Sequence, residues 1–171
     1  MSQKAHESGS DRIAEAVEDM DVDIVINVQG DEPEISIETI EATLSALQSH
    51  REAGVATAAA PIDGTEDPSD PNIVKVVRSS SGLAVRFTRE FPENEGAYRH
   101  IGIYAYRPEV LRAYPNMDVT AGELSERLEQ IRLLDHGIKI AVALVSAGHP
   151  GIDTPAQYDA FVARWNTEHS D

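Results

Sequence analysis

An α/β domain with a mainly parallel, doubly wound sheet and an inserted β-hairpin is what this sequence predicts, and three observations carry the prediction. Apolar runs of strand length at 23–28, 55–60, 101–106 and 138–145 alternate with stretches whose apolar residues recur at helical spacing. Helix caps and glycine or proline stops fall at the boundaries between them. Only the middle of the chain breaks the alternation, with two short apolar runs on either side of the SSSG turn.

Each element follows from its residues. SGSDRIAEAVEDM opens a helix that Ser10 or Asp11 can cap, with Ile13, Ala14 and Val17 on one face. Residues 23–28 form a strand that ends in Gln29, Gly30, Asp31, Glu32 and Pro33. Ser36 caps a helix with Ile37, Ile40, Leu44 and Leu47 as its apolar face, which stops before Gly54. Residues 55–60 are the next strand. A polar, proline-rich loop leads into strand 73–77, which pairs with 83–87. After polar FPENEGAYR comes strand 101–106, where Tyr104 and Tyr106 alternate so that one faces inward, with core packing the default for either. Pro108 suits the first turn of a short helix. Thr120 caps one long helix with Leu124, Leu128, Ile131 and Leu134 on a shared face and Gly137 as its stop. Strand 138–145 follows, then a helix opened by Thr154 and Pro155 that runs toward Trp165, and a frayed tail NTEHSD.

The 171 residues are read as one domain, 1–171. The formal charge of −16, from 30 acids against 14 lysines and arginines, repels nucleic acid and anionic membrane. No apolar stretch approaches the ~18 to 20 residues of a membrane span, and the amino terminus lacks signal-peptide character. The absence of cysteine excludes disulfides, zinc thiolate sites and cysteine nucleophiles. GxSxG, GxxxxGK[ST] and HExxH are absent too, so hydrolase, P-loop and zinc-peptidase readings lack support. Only three residues are lysines, Lys4, Lys75 and Lys139, a balance shared by salt-adapted and ordinary acidic proteins.

In an open α/β sheet, ligands collect beyond the carboxyl ends of strands. Asp31 stands there, and Asp153, in HPGIDTP, follows a strand in the same way. Two aspartates suit a hard cation such as Mg²⁺, which keeps waters and substrate phosphates among its ligands; two solvated turn residues are the plainer alternative. Arg89, Arg99 and His100 form a positive cluster suited to a carboxylate or phosphate. Glu129 and Gln130 stand beside an apolar helical stripe, a position more often at a solvated edge than in a ligand clamp. HESGSDR offers hydroxyls and amides to an anion or a ribose.

HESGSDRIAEA, VINVQGDEP, NIVKVV, RHIGIYAY, LEQIRLL with GIKI, and GIDTP, in this order, resemble the 3-deoxy-manno-octulosonate cytidylyltransferases, the CMP-Kdo synthetases of lipopolysaccharide assembly. The resemblance implies a nucleotide-diphospho-sugar transferase fold of Rossmann-like type. It also implies a Mg²⁺-dependent cytoplasmic enzyme, typically a homodimer, in which the anomeric hydroxyl of the sugar acid attacks the α-phosphorus of CTP. Asp31 and Asp153 match the catalytic, metal-binding aspartates. Gln29, Arg89, His100, Tyr104, Glu129 and Gln130 match sugar-acid contacts, and Ser8 and Gly9 match the nucleotide-side loop.

Relatives of this kind open with a strand and an R-x-S-x-R-[LF]-P-x-K loop for the CTP phosphates, and neither is present. The expectation is therefore an amino-terminally shortened member that does not turn over by itself. Two alternatives are a cytidylyltransferase for 8-amino-octulosonate and a non-catalytic folding or dimerisation module. Arg89 to Pro92 is shorter than the usual R-x-x-I-P, and Ala121-Gly122 replaces a Pro-Leu pair.

Overall fold

Ten-residue strand β5 (Ala97–Tyr106) organises the sheet in the computed structural model, which describes residues 9–62, 67–93, 96–146, 151–152 and 154–168. Along one edge it pairs with β2 (Val55–Pro61). The other edge is shared: β1 (Val25–Val28) takes residues 103–106 and β3 (Lys75–Arg78) takes residues 97–99. β4 (Ala84–Thr88) adds to β3, and β6 (Ile140–Leu144) adds to β2, giving the order β4-β3-β5-β2-β6 with β1 on the free part of β5.

The alternation of helices and strands is as expected, but the sheet is mixed rather than mainly parallel. β2 and β6 are parallel, whereas β5 runs antiparallel to β1, β2 and β3. The reason lies in the excursion through β3 and β4, which returns the chain between β1 and β2 in the opposite sense. β5 also begins four residues earlier than its apolar run suggests, because Ala97 pairs with β3 and Tyr98 and Arg99 find partners on both sides.

Helices cover both faces. α2 (Ile37–Ser49) lies over Ala56, Ala58, Ala60, Ala105, Ala141 and Ala143, whose small side chains let it approach closely. Its buried stripe is Thr39, Thr43 and Leu47, not the predicted one through Ile37, which is 70% exposed. The threonine face fits because the floor is alanine and because the Thr43 hydroxyl donates to the Thr39 carbonyl at 2.8 Å. Ser36 caps this helix as expected, accepting from Thr39 N–H at 3.1 Å.

On the opposite face α1 (Gly9–Ala16), α3 (Pro108–Ala113), a 3-10 turn over Tyr114–Asn116, α4 (Ala121–Glu126) and α5 (Glu129–Asp135) enclose Val55, Val76, Tyr104, Tyr106, Leu111 and Ile140. Tyr104 and Tyr106 both face this core, their rings 5.8 Å apart, because residues two apart on a strand share a face. The single long helix expected after Thr120 is two helices. Arg127 adopts left-handed backbone (φ 56, ψ 48) and Leu128 is extended, so Leu124 is 68% exposed while Leu128 is buried.

α6 (Pro155–Glu168) runs past Trp165 through part of the tail expected to fray, and Arg164 pairs with Glu34 at the entrance to α2. Among the described residues no helix is long and apolar enough to cross a membrane.

Candidate active site

Between its two partners on one edge, β5 is bare for three residues, 100–102. The opposite edge is irregular at the same level, where the β2 pairing slips between Thr57 and Ala58. A cavity of about 550 Å³ opens here. Three of the backbone groups left over by the gap find partners outside the strand ladder. His100 N–H donates to the Val74 carbonyl at 2.9 Å, Gln29 N–H donates to the Gly102 carbonyl at 3.2 Å, and Gly102 N–H donates to Glu32 Oε1 at 2.8 Å.

That last bond explains the GDEP turn. Glu32 is a stitch that closes the gap in β5, and glycine at 102 leaves room for it, since a Cβ there would stand 3.0 Å from both Gln29 Oε1 and Glu32 Oε1 and push these side chains aside. Asp31 is tied only by its backbone, whose carbonyl accepts from Ile152 N–H at 2.8 Å. No described residue donates to its carboxylate, which lines the cavity. Asp153 and Ser8, the other predicted metal and nucleotide-side residues, lie outside the described residues.

His100 is held by Thr57. The Thr57 hydroxyl has one proton, donated to the Ile103 carbonyl at 2.7 Å, so toward His100 Nε2 at 2.9 Å its oxygen accepts. This assigns the proton to Nε2 and leaves Nδ1 as an acceptor. Burial pushes the His100 pKa down to about 3, so the ring is neutral at physiological pH. Phe87 meets it edge-on at 5.3 Å, and the Tyr104 ring lies tilted against it at 5.5 Å. Burial likewise raises the Tyr104 and Tyr106 phenols, which stay protonated and able to donate.

Arg89 is fixed by carbonyls. Its Nε donates to Glu126 O and its Nη1 to Pro71 O, both at 2.9 Å, while its N–H donates to the Glu126 carboxylate at 2.8 Å. Beneath it the fully buried Lys75 donates from Nζ to the carbonyls of Asp70 (2.6 Å) and Arg89 (2.8 Å), and burial lowers its pKa. Sequence reasoning missed Lys75; its signal was a lysine inside the apolar run NIVKVV.

Glu129 does more than line the cavity. Its carboxylate accepts from Gly9 N–H (3.1 Å), Ser10 N–H (3.1 Å) and the Ser10 hydroxyl (2.7 Å), so α5 caps the start of α1 across 119 to 120 residues of sequence. Ser10 is therefore inside the helix and not the cap expected of it. Gln130 is buried at the cavity wall, not on a solvated edge.

Gln29, Asp31, Arg89, His100, Tyr104, Glu129, Gln130 and Gly9 thus border one space. Arg12, Arg99 and Arg127 line it as well, so four arginines gather in a protein of net charge −16. Such a site suits ligands carrying several negative groups. Among the described residues no set of three or more histidines, aspartates or glutamates could enclose a metal by itself. Asp31 is a hard oxygen donor of the kind Mg²⁺ uses when waters and substrate phosphates complete its shell.

A family model described as Cytidylyltransferase matches residues 1–140. The 3-deoxy-manno-octulosonate cytidylyltransferase of Nitrosococcus oceani is 40% identical over 93% of this chain and 69% of its own length. That of Rhodopirellula baltica is 42% identical over 92% of this chain and 69% of its own. Among solved structures, a CMP:2-keto-3-deoxy-manno-octonic acid synthetase in complex with CTP matches with a TM-score of 0.86 and 38% identity, over 95% of this chain and 70% of that one. A glucose-1-phosphate thymidylyltransferase from Bacillus anthracis, 19% identical with a TM-score of 0.60, shares the fold.

Proposed function

The chain belongs to the 3-deoxy-manno-octulosonate cytidylyltransferase family, and from that premise we propose how its cavity takes part in the reaction. The activity is transfer of a cytidylyl group from CTP to 3-deoxy-manno-octulosonate, giving CMP-Kdo and pyrophosphate. The anomeric oxygen bonds to the α-phosphorus as the bond to the bridging oxygen of the β-phosphate breaks. One observation supports the assignment of roles: residues from six separate segments, Gly9, Gln29 to Asp31, Arg89, His100 to Tyr104, Glu129 to Gln130 and Gly151, converge where one edge of β5 has no neighbouring strand.

In this reading Arg89, pinned by Glu126 and Pro71, presents fixed positive charge to the carboxylate of the sugar acid. Gln29, Gln130 and the Tyr104 phenol offer hydrogen bonds to its hydroxyls, and the neutral His100 ring offers Nδ1 as an acceptor. Gly9, at the start of α1, faces the nucleotide. Asp31, with Asp153 as partner, would hold Mg²⁺, which when bound supplies neutralisation of the charge that develops on the phosphates. Preorganised groups of this kind act by positioning and electrostatics and need no covalent intermediate. The homodimer, the cytoplasmic setting and the role in lipopolysaccharide assembly belong to the same proposal, and sedimentation velocity would test the dimer.

Calorimetric titration of the chain with 3-deoxy-manno-octulosonate and with CTP, each with and without Mg²⁺, tests the reading directly. The sugar acid is expected to bind, CTP to bind better with Mg²⁺, and Asp31→Asn to lose that Mg²⁺ dependence. Failure of both ligands to bind, or an unaltered Mg²⁺ dependence in the variant, overturns it. Pyrophosphate release by the 171 residues alone would overturn the separate expectation that they do not turn over.

A further inference from the structure

The turn that splits the expected long helix carries the observation. Among the described residues Arg127 is the non-glycine residue with positive φ, in the left-handed region at φ 56 and ψ 48. An L-residue there is held roughly 1 kcal/mol above what glycine would cost, and helices that end this way generally use glycine or asparagine. The backbone task is one that glycine performs equally well: Arg127 N–H donates to the Glu123 carbonyl at 2.7 Å. Folding therefore does not account for arginine at this position.

Its place in the site does. Arg127 lines the cavity and is exposed, and among the described residues its guanidinium makes no hydrogen bond or ion pair. The adjacent Glu126 is the residue that fixes Arg89, through a carboxylate bond to the Arg89 N–H and a carbonyl bond from Arg89 Nε. Arg89 has two of its donors committed to carbonyls, whereas among the described residues none accepts from the Arg127 guanidinium. On the other side Leu128 leads directly into Glu129 and Gln130.

We propose that Arg127 is a second cationic contact for the carboxylate of the sugar acid, acting beside Arg89, and that its strained backbone is retained to present that side chain. The inference rests on the cytidylyltransferase reading of the cavity. A planar guanidinium matches a carboxylate in two parallel hydrogen bonds, and one cation already fixed by carbonyls leaves oxygens for another to engage.

The test uses the full chain and the Arg127→Gly and Arg127→Lys variants. Each is titrated with 3-deoxy-manno-octulosonate, with its methyl ester and with CTP, and each is melted. Arg127→Gly is expected to melt at the wild-type temperature or above it, since the left-handed strain is relieved. It is also expected to bind the sugar acid about tenfold more weakly, to lose most of the preference for acid over ester, and to bind CTP within twofold of wild type. Arg127→Lys should recover part of the sugar-acid affinity.

Unaltered sugar-acid binding in Arg127→Gly overturns the inference, and so does equal weakening for acid and ester. A loss confined to CTP overturns it too, by assigning Arg127 to the phosphates. If the wild-type chain binds neither ligand, the functional reading fails first and this one with it. Should Arg127→Gly misfold, the lysine variant decides: a wild-type acid-to-ester ratio there sinks the bidentate contact.

Discussion

The two faces of the sheet are built from different chemistry. Under α2 the strands present six alanines with Ile101 and Ile103, and the helix answers with two threonines and Leu47; packing dominates this face, with Arg107 bound to the Leu47 and Ala53 carbonyls and Arg164 to Glu34 at its edges. On the other face a larger apolar core is supplemented by charged groups bound to backbone or to another charge. Glu32 closes β5, Glu129 caps α1, Glu126 and Lys75 fix Arg89, and Glu123 grips Arg132. A domain can hold its helices with apolar area alone, so the wired face is the one whose loops must hold fixed positions around a polar ligand.

If that contrast is real, the largest stability effect should come from the wired face. Arg132 meets Glu123 through two bonds of 2.7 Å, with both side chains buried and the guanidinium 4.5 Å from the centre of the Tyr114 ring. Glu123→Ala strands a buried cation and is expected to cost about 3–5 kcal/mol, measured by urea unfolding. A cost under about 1 kcal/mol would mean that water screens the pair and that the contrast is overdrawn.

Leu47→Ala probes the packed face. Leu47 is fully buried over alanines that cannot swing in to fill a void, so a loss of about 3 kcal/mol is expected, within the usual 2–5 for such deletions. This variant should leave sugar-acid affinity at the wild-type value, whereas Glu123→Ala should weaken it by loosening α4 from α5. Equal effects of both variants on binding would erase the distinction between the faces.

The packed face was the more legible of the two. Alternating apolar runs placed β1, β2, β5 and β6, and Ser36 and Pro155 marked the starts of their helices, because burial and capping are local signals. The α2 stripe was misread, since apolar spacing ranks Ile37 above Thr39 and only the alanine floor reverses that ranking. On the wired face, motif resemblance found Asp31, Arg89, His100 and Tyr104, but their supports were invisible. Glu129 reaches Gly9 across 120 residues and Glu32 reaches Gly102 across 70, and no local pattern encodes such a contact. Arg127 was hidden for a related reason: apolar periodicity ran straight through it, and only the backbone shows the break.

A smaller effect separates capping from ligand contact in Glu129. Glu129→Ala removes three acceptor interactions from the start of α1, and a loss of about 1.5 kcal/mol is expected. Faster amide exchange at Ser10 should accompany it. Unaltered exchange there would show that α1 is held by its apolar side and that Glu129 is free for the sugar acid alone.

The finest test uses pH, because one neutral histidine stands on a face otherwise held by charge. The pKa of His100 falls to about 3 on folding, from an unfolded value near 6.5. Above pH 6.5 both states are neutral and the ring contributes no pH dependence. As pH falls below 6.5 the unfolded chain takes up a proton that the folded ring refuses, so the unfolded state binds more protons and stability declines with acidification. The decline is at most ~1.4 kcal/mol per pH unit and ends near pH 3, where the folded ring titrates too. Between pH 6.5 and 5, wild type should therefore lose up to about 2 kcal/mol more than His100→Gln, whose side chain does not titrate. Parallel curves would mean that the folded ring takes up its proton in the same range as the unfolded one, and that burial does not hold it neutral below pH 6.5.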